Sequence, residues 1–264
     1  MPILKRIILY PIKSLDGCEV SAATVLPTGA LVGDRRYALI DDEGKYVNGK
    51  RFAKIHRIRA TYDKEIENVT LSTSETKATF SLQQEGTAIA AWCSKVLGVA
   101  CRWVENSKQG HPDDFDANGP TLISTSTLAE ICTWYNAFNV DELRRRLRTN
   151  LEIEAEPAFW EDRLVGLPDQ SKRFSIGKTL WRGNGICQRC AVPTRDSQTG
   201  STISGFAREF SHRRQTSLPE WSPTELFDHY YRVAINSVLD SLNCGNVIQR
   251  GDSVQLTEEN VLEH

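Results

Sequence analysis

The stretch Leu4–Leu26, LKRIILYPIKSLDGCEVSAATVL, decides the fold class. Two runs rich in apolar and β-branched residues, LKRIILY and CEVSAATVL, flank YPIKSLDG, where proline, serine, aspartate and glycine break any helical period. The same rhythm continues through RRYALID, KYVNG, HRIRATYD, VTLST and ATFSLQ, with turn signals such as LPTG and DDEG between them. Strands this short and this closely spaced predict a small barrel or sandwich.

Beyond residue 85 the period changes. TAIAAWCSKVLGV places Ile89, Trp92, Cys93, Val96 and Leu97 at helical spacing. CRWVE returns to strand, and KQGHPDDFDANGP reads as a polar loop. A second helix is expected in STSTLAEICTWYNAF, with Leu128, Ile131, Cys132 and Tyr135 on one face and a hydroxyl cap at its start. A third is expected in NVDELRRRLRTN, where Asp141 and Glu142 occupy the first turn and arginines the last, as the helix dipole favours. NLEIEA, KRFSIGKTLWRG, RVAIN and GNVIQRGDSVQL are strand-like again, the last pair resembling the closing hairpin of a barrel. The chain therefore reads as mainly β (α+β): two packed β-barrel-like units with a few short helices. The expected units are residues 1–110 and 111–261, with the seam between Asn106 and Pro120.

Composition bounds the function. A chain of 264 residues that is 40% apolar can bury a real core. Its net charge of −2, from 32 basic and 34 acidic residues, gives no field to hold nucleic acid or an anionic membrane, so an anionic ligand must be recognised locally. No apolar run approaches the roughly 20 residues of a membrane span, and the N-terminal apolar run is broken by proline and lysine. A cytoplasmic protein with neither nucleic-acid nor membrane partners is expected. Seven cysteines, an odd number scattered from Cys18 to Cys244, argue for reduced thiols over a disulfide framework. The closing LEH resembles the start of an expression tag, so His264 is set aside and His56, His111, His212 and His229 remain.

The chemistry-bearing segment is GNGICQRCAVPTRDSQTG, Gly183–Gly200, with two cysteines three positions apart. Three readings are open: a redox dithiol, half of a zinc site, or one thiolate ligand beside a neighbour without a role. A dithiol of the thioredoxin type opens a helix, which Pro193 discourages here. Zinc would need two more ligands, and only the isolated His212, His229 and Cys244 lie downstream. Elsewhere, Lys13 and Ser14 stand where the first strand ends, either as an oxyanion site or as a solvated loop. Asp34 is positioned to pair with Arg35 or Arg36. Arg148 and Asn150, two apart at a helix-to-strand junction, would share a face in extended chain; Arg144, Arg145 and Arg146 read as a solvated helix face.

Taken in order, YPIKSL-x-G, GDRRY, the LIS helix start, LRTNLEI, F-x-ED, IG, C-x-R-C with T-x-D-x-x-TG, and a closing GD-x-V resemble MOSC-domain proteins with their N-terminal β-barrel domain. The likeness covers nearly the whole chain and points to the subgroup of the mitochondrial amidoxime-reducing component and its bacterial relatives. It implies a molybdenum–molybdopterin cofactor with one protein sulfur ligand. By position that ligand is Cys190, the metal-binding and catalytic residue, while Cys187 occupies a variable position. A thiolate is a soft donor suited to such a metal. The resemblance also places Lys13, Ser14, Arg35, Arg148 and Asn150 around the pterin and its phosphate, with Ser124, Gln188 and Asp196 as further candidates. It implies reduction of small N-hydroxylated or N-oxide substrates by oxygen transfer to molybdenum. The sequence carries no iron–sulfur, haem or flavin motif, so electrons are expected from a separate ferredoxin or cytochrome with its reductase. The alternative is a molybdenum-cofactor or sulfur-carrier MOSC module without reductase activity. The VPTRDSQ segment, with Pro193 and Arg195, and Leu164 after F-x-ED depart from the family pattern, and both bear on the substrate mouth.

Overall fold

The computed structural model describes residues 1–135, 138–167, 170–240 and 247–257. In chain order its strands are β1 (Ile3–Leu9), β2 (Cys18–Val20), β3 (Ala22–Thr24), β4 (Tyr37–Ile40), β5 (Arg59–Tyr62), β6 (Asn68–Ser72), β7 (Lys77–Ser81), β8 (Arg102–Glu105), β9 (Leu122–Ser124), β10 (Leu151–Glu154), β11 (Arg173–Ile176), β12 (Thr179–Gln188), β13 (Arg232–Leu239), β14 (Val247–Gln249) and β15 (Val254–Leu256). The helices are α1 (Gly86–Leu97), α2 (Thr125–Thr133), α3 (Val140–Leu147) and α4 (Phe206–Thr216). No helix among the described residues is long and apolar enough to cross a membrane.

The sequence of β1 shows how the largest sheet is set. Strict alternation would bury either Leu4 or the pair Ile7 and Leu9, yet all three are buried. A register shift between Leu4 and Arg6, where β1 pairs with β10, resolves the conflict by turning both halves of the strand inward. Eight strands follow one another as β15-β11-β12-β13-β9-β10-β1-β2. All neighbours are antiparallel except β9 and β10. The last strand then returns to the first: Ile3 bridges Ser253, the Leu4 amide donates to Asp252 at 2.8 Å, and the Val254 amide donates to Pro2 at 2.9 Å. The sheet thus closes on itself in the manner of a barrel, which removes unpaired edges.

This sheet draws strands from both sides of the expected seam at residues 110/111. Its core joins Leu4, Ile7, Leu9 and Val25 to Leu122, Leu151, Trp181 and Val254. A second core lies under the β5-β6-β7 meander, the β4-β8 pair and α1, with Val69, Leu71, Ile89 and Cys93 buried. A third gathers the inner faces of α2, α3 and α4, including Leu128, Leu143, Phe206 and Phe210. Each such large apolar side chain contributes about 1.5–3 kcal/mol when fully buried.

Several sequence expectations are corrected. The supposed closing hairpin does not pair with itself: β13 is interior to the large sheet, β14 joins β3, and β15 joins β11. KYVNG makes only a bridge, Ile40 to Tyr46, because Asn48 turns the chain by accepting the amides of Lys50 and Arg51 at 3.1 Å. The three arginines of α3 do not form one solvated face. Successive helical residues point about 100° apart. Arg144 accordingly pairs with Glu152 at 2.7 Å, Arg145 is exposed, and Arg146 is buried against Glu142 at 2.6 Å. Helix α4 had no sequence assignment, although Phe206, Phe210 and Arg214 recur every fourth residue and are buried.

Arg214 ties α4 to the F-x-ED segment through an ion pair with Asp162, and both side chains are shut away from solvent. Beside them the Glu161 carboxyl is buried; desolvation, reinforced by Asp162, pushes its pKa up to about 7. Thr127 donates to it at 3.0 Å. A carboxyl whose folded pKa is raised binds its proton more tightly in the native state than when unfolded. Its contribution to stability is therefore full below the ordinary carboxylate range and is lost as pH rises to about 7. Glu161→Gln, which resembles the protonated acid, should gain stability relative to wild type between pH 5 and 7, by roughly 1 kcal/mol per pH unit at most. Denaturant midpoints measured across that range check this; parallel pH profiles would refute it.

Candidate functional site

One cleft of about 480 Å³ opens where the β1–β2 loop, the turn before β4, the Asn48–Lys50 turn, the end of α3 and the segment after β12 meet. Among the described residues its wall carries nine arginine and lysine side chains against four aspartates. A chain that is nearly neutral overall thus concentrates positive charge in one concavity, which favours an anionic occupant.

Backbone conformation sets three of these side chains. Ser14, Arg35 and Arg148 all adopt positive φ, at 72°, 47° and 54°. Non-glycine residues there cost energy and persist where the surroundings enforce them, often at functional sites. Arg148 ends α3 as its left-handed cap, its amide bonded to the Arg144 carbonyl. It therefore reaches the cleft by a helix stop, where the sequence had suggested extended chain. Its guanidinium lies 4.3 Å over the Tyr10 ring and makes no ion pair or side-chain hydrogen bond among the described residues. Burial lowers its pKa, and Arg35 adds to the effect. A desolvated cation without a carboxylate is costly unless a ligand supplies the counter-charge.

The other expected residues divide by what already holds them. Lys13 is only 5% exposed, so the solvated-loop reading is corrected. Its Nζ donates to the His111 carbonyl and to Asp113, each at 2.8 Å. Burial alone would raise the Asp113 carboxyl, but Lys13, with Lys50 and Arg35 behind it, holds it at about 2. Arg35 pairs with Asp34, and its second contact is the Asn150 Oδ1 at 3.3 Å. Asn150 is buried and donates to the Ile8 carbonyl at 3.1 Å, so it braces Arg35 against β1. Gln188 and Cys190 lie on the same wall.

Ser124 and Asp196 do not line this cleft, contrary to the expectation. Ser124 is fully buried and caps α2, accepting the Thr127 amide at 3.2 Å. Asp196 closes its own turn by accepting the Gln198 and Thr199 amides at 3.1 and 2.8 Å. Both are short polar side chains that serve local backbone groups first.

The two cysteines have different surroundings. Cys187 sits near the end of β12, where burial pushes its pKa up to about 11, and its thiol donates to Asn236 at 2.7 Å. Cys190 follows the strand, is partly exposed, and its sulfur accepts the Val192 amide at 3.4 Å. Both are free thiols. The chain then enters a single 3-10 turn at Val192–Thr194 rather than a helix. Among the described residues no group of three or more His, Cys, Asp or Glu is gathered to hold a metal ion. His212 and His229 are not on the cleft wall, and Cys244 lies outside the described residues.

Sequence reasoning missed Arg189 and Arg59. Arg189 donates to the Leu147 carbonyl at the end of α3 and leaves its buried Nε without a partner. It stood inside the quoted C-x-R-C yet served only to locate Cys190. Arg59 belongs to the basic run Lys50–Arg59, which contains no acidic residue.

A family model described as the MOSC N-terminal beta barrel domain matches residues 1–100. The chain is also similar to molybdenum cofactor sulfurases: 25% identical over 80% of the chain for that of Danio rerio, and 23% over 82% for that of Homo sapiens. The sulfurase of Oryza sativa is 23% identical over 80% of the chain. The aligned region spans about 30% of the length of these relatives. A solved structure, that of the YUAD protein from Bacillus subtilis, matches over 96% of this chain and 94% of its own, at 11% identity and a TM-score of 0.41.

The cysteine environments predict unequal reactivity, since alkylation needs both access and thiolate. Brief iodoacetamide treatment at pH 8 followed by peptide mass mapping should label Cys190 at least tenfold faster than Cys187. Equal rates would remove the distinction drawn between them.

Proposed function

We propose that the cleft holds a molybdenum–pterin cofactor with the Cys190 sulfur as the protein ligand, and that the chain reduces N-hydroxylated or N-oxide compounds. The observation that carries this reading is the pairing of a partly exposed thiol, Cys190, with an unneutralised guanidinium, Arg148, on one cationic wall. The residues present fit such a group. Its anionic parts would meet Arg148, Arg189, Arg35 and Lys13, and its hydrogen-bonding edges Ser14 and Gln188. A single thiolate suffices where the remaining metal ligands come with the cofactor.

When bound, such a cofactor supplies the two-electron removal of an oxygen atom from nitrogen. The chain supplies the positioning. The Val192 amide donates to the Cys190 sulfur and fixes its place, and the raised pKa of Cys187 keeps that neighbour protonated and out of competition. Asn150 and Asp34 hold Arg35 at a fixed place on the wall, so that this cation is set before the ligand arrives. Electrons come from a separate carrier, a ferredoxin or a cytochrome with its reductase, which docks transiently.

A second reading is favoured by the names of the curated relatives. As a molybdenum-cofactor or sulfur-carrier module, the chain would use Cys190 to carry sulfur and would reduce nothing. Protein prepared from a cofactor-competent host separates the two. Near-stoichiometric molybdenum by elemental analysis, together with amidoxime reduction by a reduced viologen dye, supports the reductase. A metal-free chain with a persulfide at Cys190 supports the carrier.

Within the preferred reading, Cys190→Ser should lose most bound molybdenum and all activity, whereas Cys187→Ser keeps most of both. Arg148→Ala should lower cofactor retention while shifting Tm by no more than a few degrees, since the only packing it removes is the contact with the Tyr10 ring. Equal losses in the two cysteine variants, or global unfolding of Arg148→Ala, would overturn these roles.

A further inference from the structure

Beside the cleft lies a shallower concavity lined by Arg57, Arg59, Thr73, Ser74, Arg145 and Gln198. Four segments far apart in sequence meet there: the start of β5, the β6–β7 turn, the exposed side of α3 and the loop after Cys190. No carboxylate lines it among the described residues. Arg57 and Arg145 have no ion pair among them, and Arg145 has no side-chain hydrogen bond either.

Two of the arginines are held by backbone. Arg57 Nε donates to the Thr199 carbonyl at 3.3 Å, and Arg59 donates to the Ser197 carbonyl at 3.0 Å. The turn that carries those carbonyls is itself fixed by Asp196. Arg59 also pairs with Asp16 at 3.4 Å, while its buried Nε has no partner among the described residues. Arg57 and Arg145 add positive charge beside Arg59 that no acid among the described residues neutralises, and an oxyanion with several acceptor oxygens reverses the sign of that repulsion. Arginine forks, hydroxyls and an amide are the donors that a phosphoryl group accepts from.

We infer that Arg57, Arg59 and Arg145, with Thr73, Ser74 and Gln198, form a second oxyanion site that takes a phosphoryl group. The site stands on its own residues, whether or not the neighbouring cleft holds a pterin. Arg59 and Arg145 line both concavities, so the second site continues the first without a break in charge. The phosphoryl group comes either from a free phosphorylated ligand or from the distal phosphate of a ligand that runs on from the cleft, such as a nucleotide-extended pterin.

Arg57 lines only the second site and Arg148 only the cleft, which allows a clean test. Calorimetric titration of the full chain with inorganic phosphate at low ionic strength should reveal a binding event that Arg57→Ala weakens about fivefold or more and Arg148→Ala leaves in place. Added salt should weaken it too. Unchanged phosphate affinity in Arg57→Ala would overturn the proposal. The two sources are told apart by nucleotide analysis of acid-released ligand. Nucleotide recovered in step with pterin from wild type, and reduced in Arg57→Ala, assigns the site to an extended cleft ligand. Pterin without nucleotide, or no pterin at all, beside an Arg57-dependent phosphate event assigns it to a free phosphorylated ligand.

Discussion

The pairing of β1 with β10 is the constraint on which the other parts of the molecule rest. It joins the chain's first strand to one that begins only at Leu151, and the bulge near Lys5 lets a single strand present Leu4, Ile7 and Leu9 to one core. The two ends of β1 do different work. Its beginning receives the Asp252–Val254 return and closes the large sheet. Its far end releases Tyr10, Lys13 and Ser14 into the cleft region, while the junction leading into β10 delivers Arg148 and Asn150. The site is therefore an outcome of one antiparallel pairing, with Asn150 hydrogen-bonded across it to Ile8.

Charge is arranged in the same graded way. Arg146 and Arg214 are buried cations with carboxylate partners, and Arg146 also borders the cleft. Lys13 and Arg35 have acidic partners but sit on the cleft wall, so their charge is already partly compensated. Arg148 has no such partner. Neutralisation within the protein thus differs from one wall cation to the next, and the unmet charge at Arg148 is what supports the proposed ligand. Left-handed backbone at Ser14, Arg35 and Arg148 falls at the same wall, consistent with conformational cost being tolerated where binding repays it.

Much of this was legible in the sequence where a local rule governs. The strands β1 to β8, the hydroxyl cap of α2 and the dipole-matched charges of α3 follow from period, cap and turn chemistry. The resemblance carried by the motif order implies one site for Lys13, Ser14, Arg35, Arg148, Asn150, Gln188 and Cys190, and all seven line the cleft. What stayed hidden depends on non-local partners. KYVNG has strand composition, yet Asn48 diverts it into a turn. The destinations of β14 and β15 depend on which sheet offers a free neighbour, which no local pattern encodes. Ser124 and Asp196 show the converse: a short polar side chain inside a motif is claimed by the nearest backbone amides. Arg144, Arg145 and Arg146 look alike as a run, but helical rotation sends them to three environments.

The span between β1 and its partners also bears on how the chain is made. Translation at about 5–20 residues per second leaves β1 waiting on the order of ten seconds for β10 to emerge, and longer for the Asp252–Val254 return. During that interval the edge of β1 that later meets β10 stays unpaired, although β2 can already cover part of the other. The meander β5-β6-β7 and the first helix, whose contacts are local, can order meanwhile. Recovery of folded protein should then depend more on protection of β1 by chaperones during synthesis than on the stability of the finished barrel.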